Sequence, residues 1–312
     1  MAVFTEISIN DAERLFSKLG KINHITGIEE GVENTNYIIE FVNRQKFIFT
    51  IFEKRTKNDD LPYFNSVMSK FYNDGVPCPT CVNIDGKEIF KIKGKYSCLY
   101  KFLEGRPTQD LNNQKLKSLS NILTKLHKIG KSSNLYRENN MLIPSWIYIL
   151  NKFKNHSNYQ YKEELKYVSK LINDLQDLFP KNLTKSIIHA DIFPDNVFYN
   201  NNEVSGIIDF FFTCNDTKIY DLAILINSWF VIGEFNEDNC INFLKFYLEK
   251  NKLTNEEKNY FNFYLKVSAI RFFLTRLHDM HFNLNGQVKH KDPLEFFNII
   301  KFHYDNNLQD LI

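Results

Sequence analysis

Long apolar runs are missing from this chain. No stretch approaches the ~20 residues that a membrane-spanning helix needs. The opening residues Met1-Ala2-Val3-Phe4-Thr5-Glu6 hold neither the basic nor the apolar part of a secretory leader, so a soluble, cytoplasmic protein is expected. Cysteine is sparse. The five residues Cys78, Cys81, Cys98, Cys214 and Cys240 are odd in number and scattered, which argues against a disulfide framework and for a reducing compartment. Cys78-Pro79-Thr80-Cys81 has C-x-x-C spacing, but no second pair accompanies it, so two incidental thiols are expected rather than a zinc or redox centre. An excess of one charge is also missing. The formal net charge of +2 gives no footprint for nucleic acid or an anionic membrane surface. Internal repeats are absent.

What remains is ordinary globular material. Hydrophobic residues make up 43% and charged residues 24% of the 312, enough for a sizeable core shared between two lobes. Asn10-Asp11-Ala12-Glu13 resembles a capping box and Gly20 a stop, which predicts a short helix from Asp11 to Leu19. Strands rich in β-branched and aromatic residues follow at Ile25 to Glu30, Tyr37 to Val42 and Lys46 to Phe52. Between the first two, Gly31-Val32-Glu33-Asn34-Thr35-Asn36 reads equally as a hairpin loop or as a turn folding over phosphates with its N–H groups. Asp60-Leu61-Pro62 opens a helix whose Leu61, Phe64, Val67, Met68 and Phe71 form one core-facing stripe. A hairpin around Gly94 joins Lys87 to Lys93 with Tyr96 to Leu103. The first hundred residues are therefore a small sheet with one main packed helix.

Phe102-Leu103-Glu104-Gly105-Arg106-Pro107 reads as a hinge. Beyond it, Leu116, Leu119, Ile122, Leu123 and Leu126 mark a helix ending at Gly130, with further helices at Pro144 to Phe153 and Tyr161 to Leu178. After residue 210 only helices are expected. They run from Ile219 to Phe230, from Glu237 to Asn251, from a cap at Thr254 to about His281, and from Asp292-Pro293 to about Tyr304.

Chemistry concentrates in Ile187-Ile188-His189-Ala190-Asp191-Ile192-Phe193-Pro194-Asp195-Asn196-Val197-Phe198-Tyr199, followed by Gly206-Ile207-Ile208-Asp209-Phe210. It reads as strand, polar loop, strand, a turn at Asn200-Asn201-Asn202, and a third strand ending on Asp209. Asp191, Asn196 five residues later and Asp209 thirteen beyond supply what phosphoryl transfer wants. One carboxylate serves the acceptor hydroxyl; an amide and a second carboxylate hold Mg²⁺ on ATP. Singly, each is an ordinary turn residue. Together, with the Asp-x-x-x-x-Asn spacing of a kinase catalytic loop, they predict a phosphotransferase. His189 is read as structural, holding the loop. Tyr220-Asp221-Leu222-Ala223 begins only eleven positions after Asp209, too soon for a peptide-displaying activation segment, while about eighty-five mostly helical residues separate the hinge from the loop. That favours an enclosed small-molecule pocket.

These residues resemble the aminoglycoside phosphotransferase and choline kinase superfamily, and within it the bacterial homoserine kinase branch. The resemblance is carried by Glu30-Gly31-Val32-Glu33-Asn34-Thr35-Asn36-Tyr37, Phe52-Glu53-Lys54-Arg55, Asp60-Leu61-Pro62, Phe102-Leu103-Glu104-Gly105 and the His189 to Phe198 loop. It continues through Ile208-Asp209-Phe210, Tyr220-Asp221-Leu222-Ala223, Arg271-Phe272-Phe273-Leu274-Thr275-Arg276-Leu277 and Lys291-Asp292-Pro293-Leu294-Glu295. It implies an α+β, two-lobed, protein-kinase-like fold, with an antiparallel-sheet N-lobe over residues 1–102 and a mainly helical C-lobe over 103–312. It also implies ATP and Mg²⁺ as cofactors, and phosphorylation of the L-homoserine hydroxyl on the way to threonine. By the same resemblance Gly31, Asn34, Tyr100 and Phe102 would bind nucleotide, Asn196 and Asp209 metal, and Asp221 would brace the loop.

The sequence departs from the wider kinase pattern in its third strand. Thr50 stands where a phosphate-binding Lys or Arg is usual, and the helix Leu61 to Tyr72 holds no Glu to pair with one; both halves are missing together. Lys54 or Arg55 could then neutralise the α- and β-phosphates, though strand-end charges are equally plain surface. A zwitterionic acceptor calls for a cation, for which Arg271 and Arg276 are candidates, and an acid, for which Asp216 and Asp279 are; helix-surface salt bridges explain each as well. The alternatives are a same-fold kinase for choline, ethanolamine, another amino alcohol or an aminoglycoside, and a catalytically silent nucleotide-binding regulator. The intact Asp191, Asn196 and Asp209 speak against the last.

Overall fold

The computed structural model describes residues 4–28, 34–53, 56–156, 158–282 and 291–312. Gly31 and its neighbours from 29 to 33, and the pair Lys54-Arg55, lie outside the described residues. The chain forms two compact units. The first takes the described residues up to Gly105 together with Ser205–Phe211, and the second takes Arg106–Val204 and most of the chain from Phe212 onward. The return of Ser205–Phe211 to the first unit has no counterpart in a single cut at residue 102.

In the first unit, α1 (Ile9–Phe16) is followed by β1 (Ile22–Gly27), β2 (Thr35–Phe41), β3 (Lys46–Ile51), α2 (Leu61–Asn73), β4 (Ile89–Ile92) and β5 (Lys95–Lys101). The strands pair antiparallel in the order β1-β2-β3-β5-β4. Period-two alternation gives the sheet two unlike faces. Tyr37, Phe49 and Leu99 lie in register across β2, β3 and β5 and are buried with Ala12 and Phe16 of α1. Phe16 meets Phe49 and Phe90 edge-on, with ring centroids 5.1 and 5.6 Å apart. The adjacent register, Asn36, Thr50 and Cys98, belongs to the other face, where Asn65 of α2 reaches Cys98. The α2 stripe Leu61, Phe64, Val67, Met68 and Phe71 is wholly buried. At ~1.5–3 kcal/mol per large apolar side chain, that burial outweighs any helix propensity in fixing α2.

Boundaries differ from the sequence expectations where caps decide them. The capping box is Ser8 with Asp11, not one begun at Asn10. Ser8 Oγ accepts from the Asp11 N–H at 3.2 Å, and Asp11 Oδ2 from the Ser8 N–H at 3.0 Å, so α1 starts earlier and its tail, Ser17–Leu19, tightens to 3₁₀. Asp60 is not a β-region N-cap; it has helical φ and ψ at the end of a 3₁₀ turn, Asn58–Asp60, that runs into α2. Lys93 and Gly94, at φ +48° and +80°, make the tight hairpin turn between β4 and β5.

The second unit contains α3 (Asn113–Lys131), α4 (Ile143–Lys154), α5 (Lys162–Leu175), β6 (Ser186–Ile188) and β7 (Val197–Asn200). After β8 (Glu203–Ile207), the hairpin partner of β7, come β9 (Cys214–Asp216), α6 (Lys218–Ile226), α7 (Glu237–Lys250), α8 (Asn255–Asn259), α9 (Phe261–Phe282) and α10 (Pro293–Asp305). α9 is the spine, packed on α6 and α10, while α3 packs on α7 and β6. β9 corrects the expectation of helices only after residue 210. It pairs antiparallel with β6, Ile187 opposite Asn215, and three residues are too few to show a period. Gly130 is not the end of α3, which runs one residue further. A Cβ there would sit 2.2 Å from the Ile187 carbonyl oxygen, so the glycine is a close-approach point between α3 and β6. The expected helix from Thr254 is capped as foreseen by Thr254 and Glu257, but Tyr260 divides it into α8 and α9. Among the described residues no helix is long and apolar enough to cross a membrane.

Candidate active site

At the end of β6 the chain turns sharply through His189-Ala190-Asp191. Ala190 has φ +64°, a left-handed conformation that costs an L side chain energy. Asp221, fully buried on α6, holds this turn from behind: its Oδ2 accepts from the His189 N–H at 2.9 Å and its Oδ1 from the Ala190 N–H at 2.7 Å. His127 of α3 adds a third bond, Nε2 to Asp221 Oδ2 at 3.2 Å, and its Nδ1 meets the Tyr247 hydroxyl at 2.7 Å. Asn251 donates to that hydroxyl at 2.8 Å. Because a carboxylate only accepts, His127 carries a hydrogen on Nε2 and donates it to Asp221. Burial pushes the Asp221 pKa up. The His127 hydrogen bond, the charges of His127 and His189 and the His189 N–H more than offset it, leaving the carboxyl below its ordinary range.

Within the loop, His189 Nδ1 accepts from the Asp191 N–H at 3.2 Å. The 3₁₀ turn Pro194–Asn196 swings Asn196 back, and its Nδ2 donates to the Asp191 carbonyl at 2.8 Å and to Asp191 Oδ2 at 2.9 Å. The structure therefore brings Asp191 and Asn196 into direct contact. The Asn196 amide oxygen is the end left out of that pair, and oxygen is what a hard cation takes. Trp229 donates from Nε1 to the Ile192 carbonyl at 2.8 Å from a single π-helical turn, Asn227–Val231, a feature frequent at functional sites. Lys291, just ahead of α10, bonds Asp195 Oδ2 at 2.5 Å and lies 5.3 Å over the Phe193 ring.

Asp209 belongs to the first unit. It follows β8 with φ +64°, tolerable for Asp, and leads into the 3₁₀ turn Phe210–Phe212. Phe210 packs on Phe71 of α2 with centroids 5.9 Å apart; Phe211 meets Phe52 at 5.1 Å and Phe64 at 5.7 Å. These two rings anchor Asp209 to α2 and the end of β3. Where the kinase Lys–Glu pair would be, the side chains are neutral. Thr50 donates to Asn36 Oδ1 at 2.7 Å, and Asn65 of α2 accepts from the Tyr100 hydroxyl at 3.0 Å and donates to Glu88 at 3.2 Å. A different ion pair, Lys95 with the largely buried Glu53, closes the neighbouring sheet end, where Thr5 and Thr35 also donate to Glu53. Burial works to raise the Glu53 pKa, but Lys95 and the two hydroxyls hold it below its ordinary value.

The other predicted residues take these places. Asn34 is buried and its Oδ1 accepts from the Glu53 N–H at 3.4 Å. Phe102 lines an open recess of about 390 Å³ with Glu40, Arg44, Lys46 and Glu104. Arg271 is 1% exposed and donates to the Ala190 carbonyl at 2.6 Å. Arg276 is bound to Glu295 at 2.6 Å and to the Asp292 carbonyl at 3.0 Å. Asp216 is buried, accepting from Asn139 at 2.7 Å and from the Thr217 N–H at 2.7 Å; burial raises its pKa despite both bonds. Asp279 is half-buried, 3.4 Å from His278. The two C-x-x-C thiols diverge, Cys78 to the Met68 carbonyl and Cys81 to the Glu88 carbonyl, each at 3.3 Å. His127, Tyr247, Trp229 and Asn65 carry no motif in the sequence, and Lys291 stands there only within the Lys291 to Glu295 string. His127 had a readable signal: it follows Leu123 by four on the apolar stripe of α3 and so had to be a buried polar group with a partner.

A model of the phosphotransferase enzyme family matches residues 24–247, spanning the loop, Asp209 and Asp221. The chain belongs to the phosphotransferase enzyme family. Among curated relatives, this phosphotransferase is 32% identical to a homoserine kinase of Zymomonas mobilis, over 100% of this chain and 99% of that one. It is 34% identical to a homoserine kinase of Sinorhizobium fredii, over 97% and 94% of the two chains. Similar solved structures include the amicoumacin kinase hAmiN, with a TM-score of 0.72 at 17% identity covering 96% of this chain and 93% of that one. The choline kinase LicA from Streptococcus pneumoniae has a TM-score of 0.66 at 15% identity, covering 95% and 97%. At such identities the structural likeness establishes the two-lobed phosphotransferase fold alone.

Proposed function

We propose that this phosphotransferase is an ATP- and Mg²⁺-dependent homoserine kinase, moving the γ-phosphoryl group of ATP to the side-chain hydroxyl of L-homoserine. The observation that carries this reading is the end-to-end match to curated homoserine kinases, 97% of this chain or more at 32–34% identity. Asp191 is the group that accepts the hydroxyl proton. Asn196 fixes its carboxylate through Nδ2, and the Asp221–His127–Tyr247 chain fixes the two residues before it, His189 and Ala190, by their N–H groups. An amide oxygen and a carboxylate suit Mg²⁺, so Asn196 and Asp209 would hold the ion, which when bound offsets charge on the ATP phosphates. Gly31, Asn34, Tyr100 and Phe102 are the nucleotide contacts of this reading. Thr50 is bonded to Asn36 and α2 holds no Glu to pair with a cation there, so the burden on the metal ligands rises.

For the acceptor, Arg276 and Asp279 stand three residues apart on α9 and so share a face, a spacing suited to the carboxylate and ammonium of one amino acid. Both residues also have partners within the chain, Arg276 in Glu295 and Asp279 in His278, but Arg271 and Asp216 are the more deeply buried and make the weaker pair. The direct test is ADP release with Mg-ATP over homoserine, choline, ethanolamine and serine. Homoserine is expected to give the highest kcat/KM. Absence of turnover with homoserine alongside turnover of another alcohol would overturn the acceptor while leaving the kinase standing.

A further inference from the structure

Arg271 is the largest buried charge in the second unit whose place the phosphoryl-transfer reading does not explain. It comes from the middle of α9, is 1% exposed, and forms no ion pair among the described residues. Its guanidinium lies over the Phe272 and Phe212 rings at 4.6 and 5.3 Å, and Nη1 donates to the Ala190 carbonyl at 2.6 Å. Aromatic faces make such a cation tolerable but give it no direction; the Ala190 carbonyl does. Ala190 is where direction matters. It holds φ +64° with a Cβ, one residue before Asp191, and its N–H is already held by Asp221. One residue in an unfavoured conformation is thus clamped on both of its peptide units, by an α6 carboxylate on its N–H and an α9 guanidinium on its C=O.

We propose that Arg271 is a positioning residue that keeps Ala190 left-handed and thereby aims the Asp191 carboxylate; this rests on Asp191 being the base of the kinase reading. Arg271 therefore acts on turnover, not on acceptor affinity. Glycine enters the left-handed region without penalty, so Ala190→Gly reduces the need for the clamp.

The test is a double-mutant cycle on the full-length protein with Arg271→Met and Ala190→Gly, reading kcat and both KM values by ADP release. Arg271→Met is expected to lower kcat by about 10–100-fold, the scale of a misaimed catalytic group, with KM for acceptor and ATP within about twofold. Adding Ala190→Gly is expected to recover at least about tenfold of that kcat, a coupling that independent sites do not show. A rise in acceptor KM at unchanged kcat would make Arg271 a substrate ligand and overturn the proposal, as would a double variant no faster than Arg271→Met. If Arg271→Met does not fold, Arg271→Lys, which keeps one donor for the carbonyl, is expected to hold kcat within about threefold of wild type at unchanged acceptor KM; a rise in acceptor KM, or a larger fall in kcat that Ala190→Gly does not restore, would overturn the proposal. Asp191→Asn is run alongside. If it is inactive while Arg271→Met is fully active, the clamp alone is overturned; if it is active, the base assignment falls and the clamp with it. Should another alcohol prove the better acceptor, the kcat/KM split is read on that one.

Discussion

Two bonds from one amide nitrogen, Asn196 Nδ2 to the Asp191 carbonyl and to Oδ2, set the rotamer of the carboxylate that the kinase reading makes the base. Asp191→Asn keeps the shape of the side chain, removes its basicity and turns a donor toward Asn196. A positioned base contributes ~10²–10⁴-fold, so kcat is expected to fall by that factor, with the circular-dichroism spectrum and ATP affinity unchanged. A variant keeping more than a tenth of wild-type kcat would remove Asp191 from that role. Asp191 and Asn196 were legible because they lie five positions apart in one loop, where spacing alone places them. Arg271 was not. An arginine eighty-one positions from Ala190 carries no local mark of whether it will meet a ligand or a carbonyl, and burial by Phe212 and Phe272 decides it. The same holds for His127 and Tyr247, brought together over 120 positions by the packing of α3 on α7.

Elements with a continuous apolar stripe or a local cap were readable, as in α2, α3 and α10, whose N-cap Asp292 does accept from the Leu294 N–H at 2.9 Å. β9 was not, since its three residues exist as a strand only through β6. Gly130 shows the same limit from the other side: it sits where a helix stop is expected, yet its small size serves a contact. Gly130→Ala would put a Cβ 2.2 Å from a backbone oxygen that cannot turn away. Overpacking typically costs ~1–3 kcal/mol, and here the higher end applies because the neighbour is backbone. A fall in Tm of roughly 3–5 °C is expected. Because β6 leads directly into His189, kcat should fall too. Gly206→Ala is the control: its nearest neighbour, at 2.9 Å, is the flexible end of Leu103, so its cost should be smaller. Equal Tm values for the two variants would show that α3 and β6 are not in rigid close contact at Gly130.

Across the whole molecule, the order of a small sheet followed by a helical body was written in composition and periodicity, but the bonds that tie the helical body together were not. Among these is His303 on α10, which bonds Asn227 Oδ1 at 2.6 Å, while Asn227 Nδ2 donates to the Leu265 carbonyl at 2.9 Å and to Ser268 Oγ at 2.7 Å. One imidazole thus joins α10, the π-helical turn beside the His189–Asn196 loop, and α9. Burial, aided by the charge of Lys266, lowers the His303 pKa to about 3, and Nδ1 has no partner to receive a second proton. In the unfolded chain the ring titrates near ~6.5, so between about pH 6.5 and pH 3 the unfolded state holds a proton that the folded state refuses. Stability is complete above that window and falls as the pH drops through it, by up to ~1.4 kcal/mol per unit, or about 2 kcal/mol at pH 5. His303→Gln keeps a donor for Asn227 and removes the titration. The Tm lost between about pH 7.5 and pH 5 is therefore expected to be several degrees smaller in the variant than in the wild type. Parallel losses in both would place the acid sensitivity elsewhere in the molecule.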